Sequence, residues 1–184
     1  MTSRSTRHGV GAILGVLLAS AGAAFAGEGD SKSAVAPSIE ANKAIVRSLF
    51  QAFNDGDVAA RNQLVDARSA FHSATEDRVG TGEPKKTLRE ACPMCANLDP
   101  RKITIDFMMA EGDLVTVRST WQGTYTGVIR DVSIAGKEVV VHYTNTYRIA
   151  DGRIVENWAA YDRLHLLEQL GFGVTPPIPA SPAK

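Results

Sequence analysis

Residues 137–171 read KEVVVHYTNTYRIADGRIVENWAAYDRLHLLEQLG, and this stretch decides the fold. Two β-rich runs flank Asp151-Gly152, and a tight hairpin turn wants the positive φ that this dipeptide tolerates. The second run alternates. Ile154, Glu156, Trp158, Ala160 and Asp162 share one face, and Arg153, Val155, Asn157, Ala159 and Tyr161 share the other. In the first run Val139, Val141, Tyr143, Tyr147 and Ile149 form the apolar set that should face a core. That sends His142 outside or to a dimer contact, unless the interior is polar and the faces exchange. Leu164, Leu166, Leu167 and Leu170 then make one face of a short helix that Gly171 ends.

Upstream, the same period of two begins after Pro100. Ile103, Ile105, Phe107 and Met109 alternate with Thr104, Asp106 and Met108, and Glu111-Gly112-Asp113 makes a turn. Val115, Val117, Ser119, Trp121, Gly123 and Tyr125 follow on one face of a second strand. Residues 127–136 read as a looser link with a short strand around Val128 to Ile134.

Before residue 100 the pattern is helical. Ser38 is placed to cap a helix running to Asn54, with Ile45, Leu49 and Phe53 as its apolar stripe. Asp55-Gly56 stops it, and Asp57 caps a second helix through Val65. Ala70 to Ala74 reads as a short strand holding His72. Pro84 opens a third helical stretch through Ala91, which Cys92-Pro93-Met94-Cys95 interrupts. Helices followed by antiparallel strands indicate an α+β fold, with helices covering one face of a curved sheet and a cavity at its wide end.

The chain divides into four segments. Residues 1–26 read as a secretory signal peptide: Arg4 and Arg7 precede the apolar run Val10 to Leu18, and Ala24-Phe25-Ala26 offers a cleavage site. Residues 27–37 form a small, polar lead-in, 38–172 the domain, and 173–184 a Pro-rich tail. The expectation is a protein exported to the periplasm or beyond, with no membrane anchor once the signal is cleaved. Lys and Arg total 20 against 20 Asp and Glu, and losing Arg4 and Arg7 leaves the exported chain slightly acidic. No field of one sign invites nucleic acid, and no basic cluster or zinc-finger spacing is present.

Four pieces carry a family resemblance: AIVRSLFQAFNDGDV, EGDLVTVRSTWQGTYTG, YRIADGRIVENWAAYD and the terminal LLEQLG. In order and spacing they resemble the nuclear transport factor 2-like superfamily, and within it the SnoaL-like polyketide cyclase and ester cyclase group. The resemblance implies an α+β cone, usually a homodimer, with a pocket between the helices and the concave sheet face. Any catalysis there would proceed without metal or cofactor. In that group the Asp of E-x-W-x-x-x-D is the acid/base, and Glu156, Trp158 and Asp162 match this pattern. Many relatives have His where this chain has Tyr125, in W-x-G-T-H-x-G. A tyrosine titrates far above neutral pH, so it suits donation of a hydrogen bond better than proton abstraction.

The expected chemistry is proton transfer next to a carbonyl in a small, largely apolar molecule. Asp162 would be the base, with Tyr125 or His72 donating to the developing oxyanion and Trp121, Trp158 and Phe107 walling the pocket. Asp162 is equally suited to cap the helix near Leu164, His72 to a structural role, and both Trp residues to core packing. The rival function is a non-catalytic ligand-binding or interaction module. Cys92 and Cys95 are the only cysteines, and their spacing permits a local disulfide in an oxidising compartment. A redox role would want the first Cys opening a helix in a βαβ context, and a zinc site would need two further ligands.

Overall fold

A computed structural model describes residues 38–129, 131–134 and 136–173. The expected signal peptide, the lead-in up to Pro37 and the tail beyond Gly173 lie outside the described residues. Ser38 accepts a hydrogen bond from the Ala41 amide at 3.1 Å and opens α1 (Ile39–Asp55). Gly56 closes it at φ 70°, a left-handed conformation that glycine adopts at little cost. Asp57 accepts from the Ala60 amide at 2.9 Å and caps α2 (Val58–Leu64).

The chain then enters β1 (Val65–Ser73), longer than the expected short strand, and β2 (Asp77–Arg78). Pro84 opens no helix. Helix resumes at α3 (Leu88–Ala91), capped by Thr87, and restarts at α4 (Pro93–Ala96) with Pro93 in its first turn. The Cys-Pro interruption is therefore a break and a fresh start. β3 (Leu98–Glu111) and β4 (Leu114–Tyr125) follow, then a small hairpin, β5 (Val128–Ile129) with β6 (Val132–Ser133). The 137–171 stretch forms β7 (Lys137–Ala150), β8 (Arg153–Tyr161) and α5 (Arg163–Gln169). Asp151 and Gly152 take φ 50° and 73° at the turn.

Six strands make one curved mixed sheet in the order β2-β1-β8-β7-β4-β3. Only β1 and β8 run parallel; the other neighbours are antiparallel. The architecture is the α+β cone expected. α1 lays Val46, Leu49 and Phe50 into the concave face, and the Phe50 ring meets Trp121 and Tyr147 edge-on at 6.3 and 6.4 Å. Asn54 ties the end of α1 to β3 like an extra rung, donating to the Ile103 carbonyl and accepting from its amide, both at 2.8 Å. Gln169 clamps α5 to β7 in the same way through both backbone groups of Val140.

Two bulges reset the alternation read from the sequence. On β3, Ile105 pairs with Ser119 but Phe107 pairs with Arg118, so Asp106 is the extra residue. On β8, Ile154 pairs with Ile149 but Glu156 pairs with Arg148, so Val155 is the extra one. One inserted residue moves every later side chain to the other face. Phe107 thus turns outward, 54% exposed. Glu156, Trp158 and Ala160 share the outer face with Thr146 and Thr144, and Asn157, Ala159 and Tyr161 point inward. The shared interior expected for Trp158, Asp162, Trp121 and Tyr125 is corrected accordingly.

Candidate functional site

The concave face and the loops over it enclose a cavity of about 610 Å³. Its sheet wall is built by the inward registers of β4, β7 and β8: Trp121, Tyr143, Asn145, Tyr147, Asn157 and Tyr161. The rings form a graded stack. Trp121 and Tyr143 lie 4.7 Å apart between centroids, and Tyr143 and Tyr161 stack at 4.6 Å. Trp121 donates its indole N–H to Ser119 Oγ at 2.9 Å, which satisfies its polar atom inside the core.

The opposite wall is a strap, residues 79–85, that crosses back over β1. Gly82 passes so close to the Asp66 carbonyl that a Cβ there would sit 1.6 Å from its oxygen, so the strap needs glycine at this point. Arg61, 6% exposed, holds the strap by donating to the carbonyls of Thr81, Gly82 and Glu83 at 3.1–3.4 Å. Burial pulls its guanidinium below the usual arginine value. Cys92 and Cys95 are joined in a disulfide, and Cys92, Pro93 and Met94 complete the wall.

The cavity's chemistry is neutral at its sheet end. Asn145, 5% exposed, donates through Nδ2 to Asn157 Oδ1 at 3.3 Å, and its own Oδ1 has no hydrogen-bond partner. Desolvation pushes the Tyr143 and Tyr147 hydroxyls far above the usual phenol value, so both stay protonated. Among the described residues that line it, Glu90 is the one acid, and its Oε2 accepts from the Lys86 amide at 2.9 Å. Arg78 and Lys85 join it on the strap side.

The expected site residues separate into two places. Trp121 lies in the cavity wall. Tyr125 is buried in the core, where its hydroxyl accepts from Asn97 Nδ2 at 3.2 Å; burial raises it above the usual phenol value. It is not among the lining residues. His72, Trp158 and Asp162 belong to the outer face. His72 stacks on Trp158 with ring centroids 5.3 Å apart, and bridges Asp77 at 2.7 Å and Glu156 at 2.9 Å. Asp162 is exposed and caps α5, accepting from the His165 amide at 2.9 Å. It borders a separate outer recess of about 420 Å³ with Arg118, His142, Thr144 and His165. Phe107 is on the outer side of β3 and lines neither.

Sequence reasoning did not single out Asn145 and Asn157. The signal was present: Asn145 is the one polar member of an inward register otherwise made of Val139, Val141, Tyr143, Tyr147 and Ile149. A lone amide in a buried apolar row needs a partner, which marks it. Among the described residues no group of three or more His, Cys, Asp or Glu is placed to hold a metal. No helix of the described residues is long and apolar enough to cross a membrane.

Comparison with known proteins agrees with this architecture. AclR from Streptomyces galilaeus superposes with a TM-score of 0.63 at 22% identity, covering 73% of this chain and 98% of its own. IdmH from Streptomyces antibioticus, a proposed polyketide cyclase, gives 0.59 at 26% identity, covering 71% and 99%. A proposed SnoaL-like polyketide cyclase from Jannaschia sp. CCS1 gives 0.61 at 19%, covering 73% and 94%. No curated protein matches the chain. The family model for SnoaL-like polyketide cyclases matches residues 43–170, nearly the whole of the described cone, and the chain belongs to that family.

Proposed function

We propose that this chain binds one small, largely apolar, carbonyl-containing molecule in the 610 Å³ cavity. The observation that carries the reading is the sheet wall, where stacked rings surround a single amide pair. Rings supply area for an apolar body, and a few fixed polar groups orient it. 1-Tetralone, an aromatic ketone of suitable size, is the test ligand. It should stabilise the fold by about 2.7 kcal/mol at a free concentration a hundredfold above Kd, seen as a melting temperature that rises with ligand concentration. Trp121→Ala should remove most of that gain. Absence of any ligand-dependent shift in the unaltered chain would overturn the reading.

A second reading keeps acid/base chemistry at Asp162. It draws on the outer recess, where Asp162 is accompanied by His142 and His165. Proton transfer is measurable without the natural substrate, as exchange of the α-hydrogens of 1-tetralone for deuterium followed by NMR. Catalysed exchange that vanishes in Asp162→Asn supports this reading, and exchange that persists removes Asp162 from the mechanism. The cavity itself favours the binding reading, because its sheet end presents no carboxylate.

Export is part of the same proposal, supported by the 1–26 pattern and by a disulfide, a bond that persists in oxidising compartments. The exported form should begin at Gly27, which N-terminal sequencing reads directly. A homodimer is also proposed, supported by the exposed Phe107 and Met109 on the outer sheet face.

A further inference from the structure

The strap end of the cavity is basic. Arg61, Arg78 and Lys85 line it, against Glu90 as the one acid among the described lining residues. Arg78 is answered close by: it pairs with Glu76 at 3.3 Å and lies over the Phe71 ring at 4.9 Å from its centroid. Arg61 and Lys85 are not. Arg61 is 6% exposed, and its guanidinium donates to Asn62 Oδ1 and to the strap carbonyls. Among the described residues no carboxylate pairs with Arg61 or with the half-buried Lys85. Carbonyl dipoles satisfy the N–H groups of a guanidinium without cancelling its charge, and a buried charge ordinarily has a counter-ion. Lys85 is also held in place. Asn62 Oδ1 accepts from its backbone amide at 3.0 Å, and Asn62 Nδ2 donates to its carbonyl at 2.9 Å. Successive residues of α2, Arg61 and Asn62, thus fix the strap at two points and seat an unanswered ammonium at the cavity. With these two cations set against Glu90, the lining keeps a surplus of one positive charge.

Resting on the binding role proposed above, we infer that the cavity takes an aromatic acid, a flat apolar ring system carrying one carboxylate. The ring lies against Trp121, Tyr143 and Tyr161, and the carboxylate meets Lys85 at the strap. The two ends of the cavity then have separate tasks. The aromatic wall supplies contact area without charge, and the strap supplies the charge without aromatic area. A neutral molecule of the same shape gains the ring contacts and leaves the positive surplus unanswered, so the carboxylate is what distinguishes the preferred ligand.

Isothermal titration of the full exported chain near neutral pH compares 2-naphthoate with 2-naphthamide, a neutral analogue of the same shape, and uses 1-tetralone as the reporter of the cavity. The expected result is 2-naphthoate at least ~10-fold tighter than 2-naphthamide, the contribution of one hydrogen bond to a charged group, in a site from which 1-tetralone displaces it. Lys85→Met keeps the apolar stem and removes the charge, and should bring the ratio most of the way to one. Equal affinity for acid and amide in the unaltered chain overturns the acid reading, and the cavity reading stands if 1-tetralone binds. A preference undiminished in Lys85→Met overturns the acid reading too, as does naphthoate that 1-tetralone does not displace. Failure of all three ligands to bind overturns both readings. Asn62 holds Lys85 through its backbone, so the variant keeps that anchor, and the comparison in the unaltered chain decides the matter even if the variant does not fold.

Discussion

At Asp162 a strand ends and a helix begins, and the acid there serves the helix. Its Oδ1 accepts the His165 amide at 2.9 Å, one of the amides that a helix start leaves without an intrahelical partner. Replacing such a cap by Ala typically costs about 1 kcal/mol. Asp162→Ala should therefore lower the unfolding free energy by that amount in urea titration, with Asp162→Asn close to unchanged because Asn caps nearly as well. An Ala variant as stable as the parent would show that the cap contributes nothing. The Asn variant is accordingly the clean one for chemistry, since it alters the acid while sparing the fold. The cap was legible from an Asp placed just ahead of a leucine-rich helix. Its position relative to the cavity was not, because that depends on where β8 is bulged.

At the scale of elements, the outer face is organised by a clip rather than by a pocket. His72 on β1 bridges Asp77 on β2 and Glu156 on β8; Glu156 in turn accepts from Arg148 Nε on β7 at 3.0 Å. Arg148 reaches on to Asp113 at 2.9 Å, and its guanidinium lies 5.5 Å from the Trp158 ring centroid. The hydrogen bond to Asp77, reinforced by Glu156, raises the His72 imidazole above its ordinary 6.5 against a smaller opposing effect of burial. Since the folded value exceeds the unfolded one, the stabilisation is fully present below pH 6.5 and is lost as pH rises through the raised folded value. The stability difference between the parent and His72→Gln should be large near about pH 5.5 and small near about pH 8.5. A difference that stays constant across that range would show that stacking on Trp158, not the charge, is what His72 contributes. The clip also bears on the cavity, because the segment after Asp77 carries Arg78 to Thr81 into its wall. Strand existence, the Asp151-Gly152 turn and the caps at Ser38 and Asp57 were all readable, because each is a local signal. The bulges at Asp106 and Val155 were not, since each adds one residue to a strand whose composition stays β-rich on either side. That single omission accounts for Phe107, Trp158 and Glu156 being assigned to the wrong face.

For the whole molecule, the question is what the convex side of the sheet is for. The six-stranded sheet packs its concave face on α1; among the described residues no helical layer covers the other face, most of which is threonine, charge and His142. Its most exposed apolar side chains are at the outer end of β3, where Phe107 and Met109 stand 54% and 59% exposed opposite Arg118 and Thr116. Side chains of that size facing water on an edge strand suit burial against a second copy, with the neighbouring polar rows supplying the rim of the contact. A stable interface of this kind buries on the order of 1,600 Å², so the threonine rows of β4 and β7 would have to be included with β3. Because the Asp106 bulge turns Phe107 away from the core, Phe107→Asp leaves the interior packing untouched and charges the centre of the contact. Sedimentation equilibrium should give a dimer for the parent and a monomer for Phe107→Asp, with the same cavity affinity for 1-tetralone in both. A parent chain that sediments as a monomer at all concentrations would return this face to solvent. A Phe107→Asp dimer of undiminished affinity would move the contact to some other part of the surface.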